Sequence, residues 1–213
     1  MQDVTGCRAC PRLVTYLAEI RQQFPHYHCR PVTAFGDQSA RFLIVGLAPG
    51  KHGANATGIP FTGDAAGELL YRTLHDFGYS NLAEARADGS LQLDGCRITN
   101  AVKCLPPQNK PSSAEIGQCN EFLAEELAAL PAHSVVLALG RIAHQAIVRG
   151  LTLRQVDYPF AHAAQHQLTP VIQLLDSYHC SRYNTQTRRL TEPMFRDIFT
   201  QVQRLLNSSQ GND

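Results

Sequence analysis

The chain alternates short, continuous apolar runs with longer stretches in which apolar residues recur every third or fourth position. RFLIVGLA (41–48) is a run of this first kind and predicts a buried parallel strand. CRITNAV (96–102), SVVLALG (134–140) and PVIQLL (170–175) predict three further strands. The second kind lies between and after them. Residues 64–77 open on an aspartate suited to an N-cap and carry Leu69, Leu70, Leu74 and Phe77 at helical spacing. Residues 113–130 open on S-x-E, similar to a capping box. Residues 141–149 follow the third strand directly, and residues 192–206 set Phe195, Ile198, Phe199, Val202 and Leu205 on one face. Strands that alternate with helices predict an α/β fold, with a mainly parallel four-stranded sheet covered on both faces in a three-layer αβα arrangement. Ligands of such sheets sit beyond the carboxyl ends of the strands. That gathers the loops after Ala48, Val102 and Leu175.

Composition narrows the class without naming a function. A chain of 213 residues suffices for one core, so one domain over 1–213 is expected, with the polar tail 208–213 frayed. The net charge of +1 favours no partner, so any nucleic-acid contact must come from a local basic patch. No apolar run reaches the roughly eighteen residues of a membrane span. The start, MQDVTGCRAC, has neither a basic segment nor an apolar core, so a cytoplasmic location is expected. Seven cysteines at 7, 10, 29, 96, 104, 119 and 180 in such a chain argue against a disulfide framework. Cys7 and Cys10 form C-x-x-C, whereas Cys104 and Cys119 are separated by fourteen residues. Four thiolates select zinc or an iron–sulfur cluster, and spacing alone leaves both open.

The first loop, GLAPGKHGANATGIPFTGD, is close to a phosphate-binding P-loop but departs from it. Three residues separate Gly46 from Gly50, where the P-loop has four. His52 follows Lys51 in place of the magnesium-binding hydroxyl, and Pro49 removes an N–H donor. The second loop is TNAVKCLPPQNKP (99–111) and the third is DSYHCSRYNTQTRRLT (176–191). Taken alone, Asp64 reads as a helix cap, Asn100 as a strand-end turn residue, and Phe61 as a core aromatic.

With CRACPRL at the start, these loops occur in the order and form that resemble the uracil-DNA glycosylases. The resemblance is to the family 5, or B-type, branch that binds an iron–sulfur cluster. GLAPG has Leu47 where family 4 relatives have an acid. The resemblance implies a monofunctional DNA glycosylase hydrolysing the N-glycosidic bond of uracil, and of other deaminated bases such as hypoxanthine, in double-stranded DNA. It also leaves open a catalytically inactive iron–sulfur module that only binds nucleic acid. The partner expected is double-stranded DNA carrying a deaminated base, bound by a monomer.

Roles follow from the resemblance. Phe61 stacks on the extruded base, Asn100 reads its edge, and Gly46 and Ala48 let the backbone come close to it. His179 donates to the departing base, as a neutral or a charged ring. Asp64 orients the attacking water in place of the missing acid of the first motif. Ser181, Arg182, Tyr183, Asn184 and Arg188 contact DNA, with Arg189, Lys51, Lys103 and Lys110 on a phosphate-binding rim. Glycine is expected where Arg188 stands and proline where Cys180 stands. A [4Fe-4S] cluster on Cys7, Cys10, Cys104 and Cys119 would clamp the N-terminus to the loop beside Asn100.

Overall fold

A computed structural model describes residues 3–208. The expected frayed tail therefore lies outside the described residues, apart from Ser208, the last residue of a helix. The four apolar runs become β2 (Phe42–Gly46), β3 (Cys96–Asn100), β4 (Ser134–Leu139) and β6 (Ile172–Ser177). They pair in parallel in the order β3-β2-β4-β6. The sheet has six strands where four are expected. Two short edge strands, β1 (Phe35–Gly36) and β5 (Gln165–Thr169), add antiparallel to β3 and β6.

Strict alternation sends the two sides of each central strand to different cores. Phe42, Ile44, Val135 and Leu137 face α3 (Ala65–Asp76) and α7 (Glu192–Ser208). Leu43, Val45, Val136 and Ala138 face α4 (Ser113–Ala128) and α5 (Arg141–Gly150). A sheet covered on both faces needs apolar residues at every position, which is why these strands read as unbroken runs. The capping box of α4 is Ser112 with Glu115, one residue earlier than S-x-E suggests. Sequence periodicity alone does not single out α1 (Pro11–Gln23), which begins directly after Cys10, nor the short α2 (Ala54–Thr57) and α6 (Arg182–Gln186).

The chain runs from β2 outward to β3, then returns past β2 to β4 and β6. The winding direction reverses between β2 and β4, and that is where open α/β sheets leave a crevice for ligands.

Candidate active site

Gly46 ends β2 beneath the crevice. A Cβ there would lie 2.5 Å from Asn100 Oδ1 and 2.6 Å from Phe61 Cζ. The missing side chain is thus what lets Asn100 and Phe61 converge. Phe61 has φ +59°, a left-handed backbone, and turns its carbonyl onto Gly67, where a Cβ would sit 1.6 Å from that oxygen. The Phe61 ring is 7% exposed and belongs to the core while also walling the crevice. Phe61 is thus both a core aromatic and a wall of the cavity.

Asp64 is the N-cap of α3, its Oδ1 accepting from Gly67 N at 2.9 Å. Its other oxygen presses on two glycines: a Cβ would stand 3.1 Å away at Gly50 and 2.7 Å away at Gly53. Burial raises the Asp64 pKa above the usual carboxylate value, and the backbone N–H groups of Gly67 and Ala66 oppose the rise. The same carboxylate caps the helix and lines the crevice.

His179 comes from the third loop, two residues past β6. Its ring lies offset and nearly parallel to Phe61, with centroids 6.1 Å apart and planes 26° apart. Gly140, at φ +95°, brings the start of α5 against His179 Cβ. Asn184 Nδ2 donates to the His179 carbonyl at 2.8 Å. The buried His179 Nδ1 has no hydrogen-bond partner among the described residues. Burial lowers the His179 pKa to about 4, so the ring is neutral at neutral pH.

These groups share a cavity of about 530 Å³ lined by Ala48, Phe61, Asp64, Asn100, His179, Ser181 and Arg182, among others. Asn109 of the second loop also lines it, in a left-handed backbone that asparagine tolerates. Its type and loop position are its only sequence signals. Gly46 is buried below the walls instead of lining them. Tyr183, 72% exposed, follows Arg182 on the rim. Asn184 faces inward, on the His179 carbonyl, so its amide holds the third loop in place. Arg188 is exposed with φ +56°, the region glycine favours, so the loop keeps the expected turn without the expected residue. Arg189 covers the Tyr178 ring at 4.7 Å, and Lys110 is exposed.

Lys103 does not belong to the rim. It is fully buried, with Nζ 2.8 and 2.9 Å from the Glu126 carboxylate and 2.5 Å from Thr99 Oγ1. Cys180 is fully buried in the core, and burial drives its thiol far above the usual range, so a reactive thiolate is not maintained there.

On the far side of the second loop, Cys7, Cys10, Cys104 and Cys119 line one apolar recess with Val4, Leu13, Val102 and Phe122. All four are free thiols. Burial pushes Cys104 up to about 12 and Cys119 up to about 11, and Lys103 N–H donates to Cys119 Sγ at 3.2 Å.

The family model described as the Uracil DNA glycosylase superfamily matches residues 33–203. A type-5 uracil-DNA glycosylase of Thermus thermophilus is 46% identical over 210 residues, 96% of each chain. One from Mycobacterium leprae is 41% identical, covering 95% of this chain and 93% of its own. The chain belongs to the type-5 uracil-DNA glycosylases. Leu47, the departure from family 4, agrees with that branch. The crystal structure of SMUG2 from Pedobacter heparinus superposes on this uracil-DNA glycosylase fold with a TM-score of 0.51 over 91% of this chain and 85% of its own. At 17% identity that likeness speaks for the fold alone.

This type-5 chain also holds a buried polar cluster just upstream of His179 that its motifs do not announce. Asp176, fully buried on β6, lies 2.8 Å from His144 Nδ1, while His144 Nε2 lies 2.8 Å from the Tyr158 carbonyl. The second Asp176 oxygen faces His166 Nε2 at 3.7 Å. The cluster joins α5 and β5 to the strand that delivers His179.

Proposed function

We propose that this chain is a monofunctional glycosylase that hydrolyses the N-glycosidic bond of uracil in double-stranded DNA and so begins base excision repair. The observation that carries this reading is the convergence of Asp64, Asn100, Phe61 and His179 on one cavity beyond the parallel strands. A base inside a duplex is out of reach, so the nucleotide is extruded at a cost of a few kcal/mol and held in the pocket. Phe61 supplies a flat apolar face for the base. Asn100, 3% exposed, offers a donor and an acceptor to the uracil edge.

The bond from C1′ to the base nitrogen breaks with its electron pair leaving on the base. A neutral His179 donates an N–H to the base carbonyl where that charge gathers. Asp64 faces the cationic sugar and orients the water, whose oxygen bonds to C1′ and whose proton leaves through the carboxylate. Its raised pKa suits a group that accepts this proton. Among the described residues no lysine lines the cavity, which supports hydrolysis without a Schiff-base step. A cavity of about 530 Å³ falls in the range of small-molecule sites and leaves room for hypoxanthine as well as uracil.

The four thiols of the apolar recess suit a soft metal centre, which we read as a [4Fe-4S] cluster held by Cys7, Cys10, Cys104 and Cys119. Such a cluster would supply a rigid cross-link between the N-terminal segment and the second loop. Loading it requires four deprotonated sulfurs, and the Lys103 N–H on Cys119 favours that charge. The second loop would be clamped to the N-terminal segment, and through it the register of Asn100 and Asn109.

Duplexes carrying one uracil, incubated in chelator and then treated with alkali, test the reading. Abasic sites formed without magnesium are expected. A protein that binds the duplex and yields no abasic site would be the inactive binding module.

A further inference from the structure

Beside the cavity the first loop carries a second construction, of which the roles above use Lys51 alone. Phe24 and Tyr27, just past α1, stack with centroids 4.7 Å apart and planes 16° apart. His52 meets both rings edge-on, at 5.4 and 5.9 Å. Tyr27 Oη lies 2.9 Å from His52 Nδ1. Lys51 Nζ stands 5.1 Å from the centre of the Phe24 ring. The two segments are pinned together by backbone, as His28 N donates to Ala56 O and Cys29 N to Asn55 O, each at 3.0 Å.

The hydrogen bond ties the His52 ring to Tyr27 in either tautomer: the tyrosine hydroxyl donates to a bare Nδ1 or accepts from Nδ1–H. Where the hydroxyl donates, and in the imidazolium, Nε2 carries a proton and is a donor, on an exposed residue flanked by two aromatic rings. Neither Lys51 nor His52 is paired with a carboxylate among the described residues. A solvated histidine needs no such scaffold, whereas a ligand that must be met in one orientation does.

We propose that His52, oriented by Tyr27 and accompanied by Lys51, binds a backbone phosphate of the damaged strand beside the extruded nucleotide. The proposal rests on reading the chain as a DNA glycosylase. A nucleotide in the cavity stays joined to two phosphates, which remain at the mouth. Ser181 and Arg182 stand on the wall given by the third loop. Gly50 stands on the wall given by the first loop, and His52 follows it by two residues, outside the lining. Phosphate oxygens are met by fixed N–H donors and ammonium groups, and such contacts set register without reading sequence.

The test measures uracil release and affinity for a duplex with a non-cleavable uracil nucleotide, using the intact chain. His52→Ala is expected to raise KM and the duplex Kd about tenfold, the scale of a lost hydrogen bond to a charged group, with the effect on KM and not on kcat. Tyr27→Phe removes only the hydroxyl and should weaken binding in the same direction, with no change in Tm. His52→Gln, which keeps a donor near the Nε2 position, should recover part of the affinity. Lys51→Met should lower the salt slope of log Kd by about 0.9. Unchanged Kd in His52→Ala, or a loss confined to kcat, overturns the proposal. Wild-type uracil release in the same series reports separately on the glycosylase reading.

Discussion

His179 shows how one residue's surroundings decide its chemistry. An isolated histidine titrates near neutrality, and its sequence context leaves neutral and charged donors equally open. In the folded chain the ring is desolvated and stays neutral down to about pH 4. A neutral donor keeps working as pH rises, so uracil release should show no loss between about pH 6 and pH 8. Stability carries the complementary sign. Between the ordinary histidine value of 6.5 and about 4, the unfolded chain takes up a proton that the folded chain refuses. Stability is therefore complete above that window and falls as pH drops through it. Denaturant melts at pH 7 and pH 5 should show a smaller loss in His179→Asn than in wild type. An equal loss in both would contradict the burial of this ring. Lys103 teaches the opposite lesson. Its sequence neighbours place it on a basic rim, but Glu126, twenty-three residues on, folds over it and takes its charge inside. No local pattern carries that pairing.

At the scale of elements, the legible parts were those whose environment repeats along the chain. β2 and β4 are apolar on both faces and read directly, and β3 and β6 keep enough apolar positions to read as strands beside them. β5 reads QHQLT and buries Leu168 alone, and β1 has two residues, so neither leaves a hydrophobic signature. α1 buries Leu13, Leu17 and Ile20 on a narrow stripe among polar neighbours. The His144–Asp176 pair was illegible for another reason: its partners stand thirty-two residues apart and join only when α5 packs on β6. Removing one member strands the other. His144→Leu should cost about 3 kcal/mol or more, because Asp176 is left buried without its partner. Adding Asp176→Ala should restore most of that loss, since an apolar replacement of a buried pair is near neutral. Urea midpoints for the two single variants and the double variant complete the cycle. Additive losses would mean that the two side chains are not coupled.

Across the whole molecule, the sheet and the site are one construction. The reversal of winding between β2 and β4 opens the crevice, and the three loops leaving the carboxyl ends of β2, β3 and β6 fill it. That layout follows from alternation alone, whereas the roles within it follow from resemblance. Asp64 caps α3 and Phe61 sits in the core, and both also line the shared cavity, on which their proposed roles rest. The cysteine recess ties the chain's first turn to the loop after β3. A cluster bound there would make protein purified without oxygen brown, absorbing at roughly 400 nm. Cys104→Ala should lose that band and lower Tm, with base release falling because the second loop loosens. A colourless wild type that keeps full activity would contradict the clamp.

Single-turnover uracil release by wild type and by Asp64→Asn, each at saturating duplex, shows whether the cavity performs hydrolysis with Asp64 directing the water. Asparagine keeps an oxygen to cap α3, so the helix start is retained while the charge that faces the sugar is lost. The expected result is a rate lowered about a hundredfold or more, with duplex affinity held. Equal rates in the two proteins would remove Asp64 from the chemistry and return it to a helix cap alone.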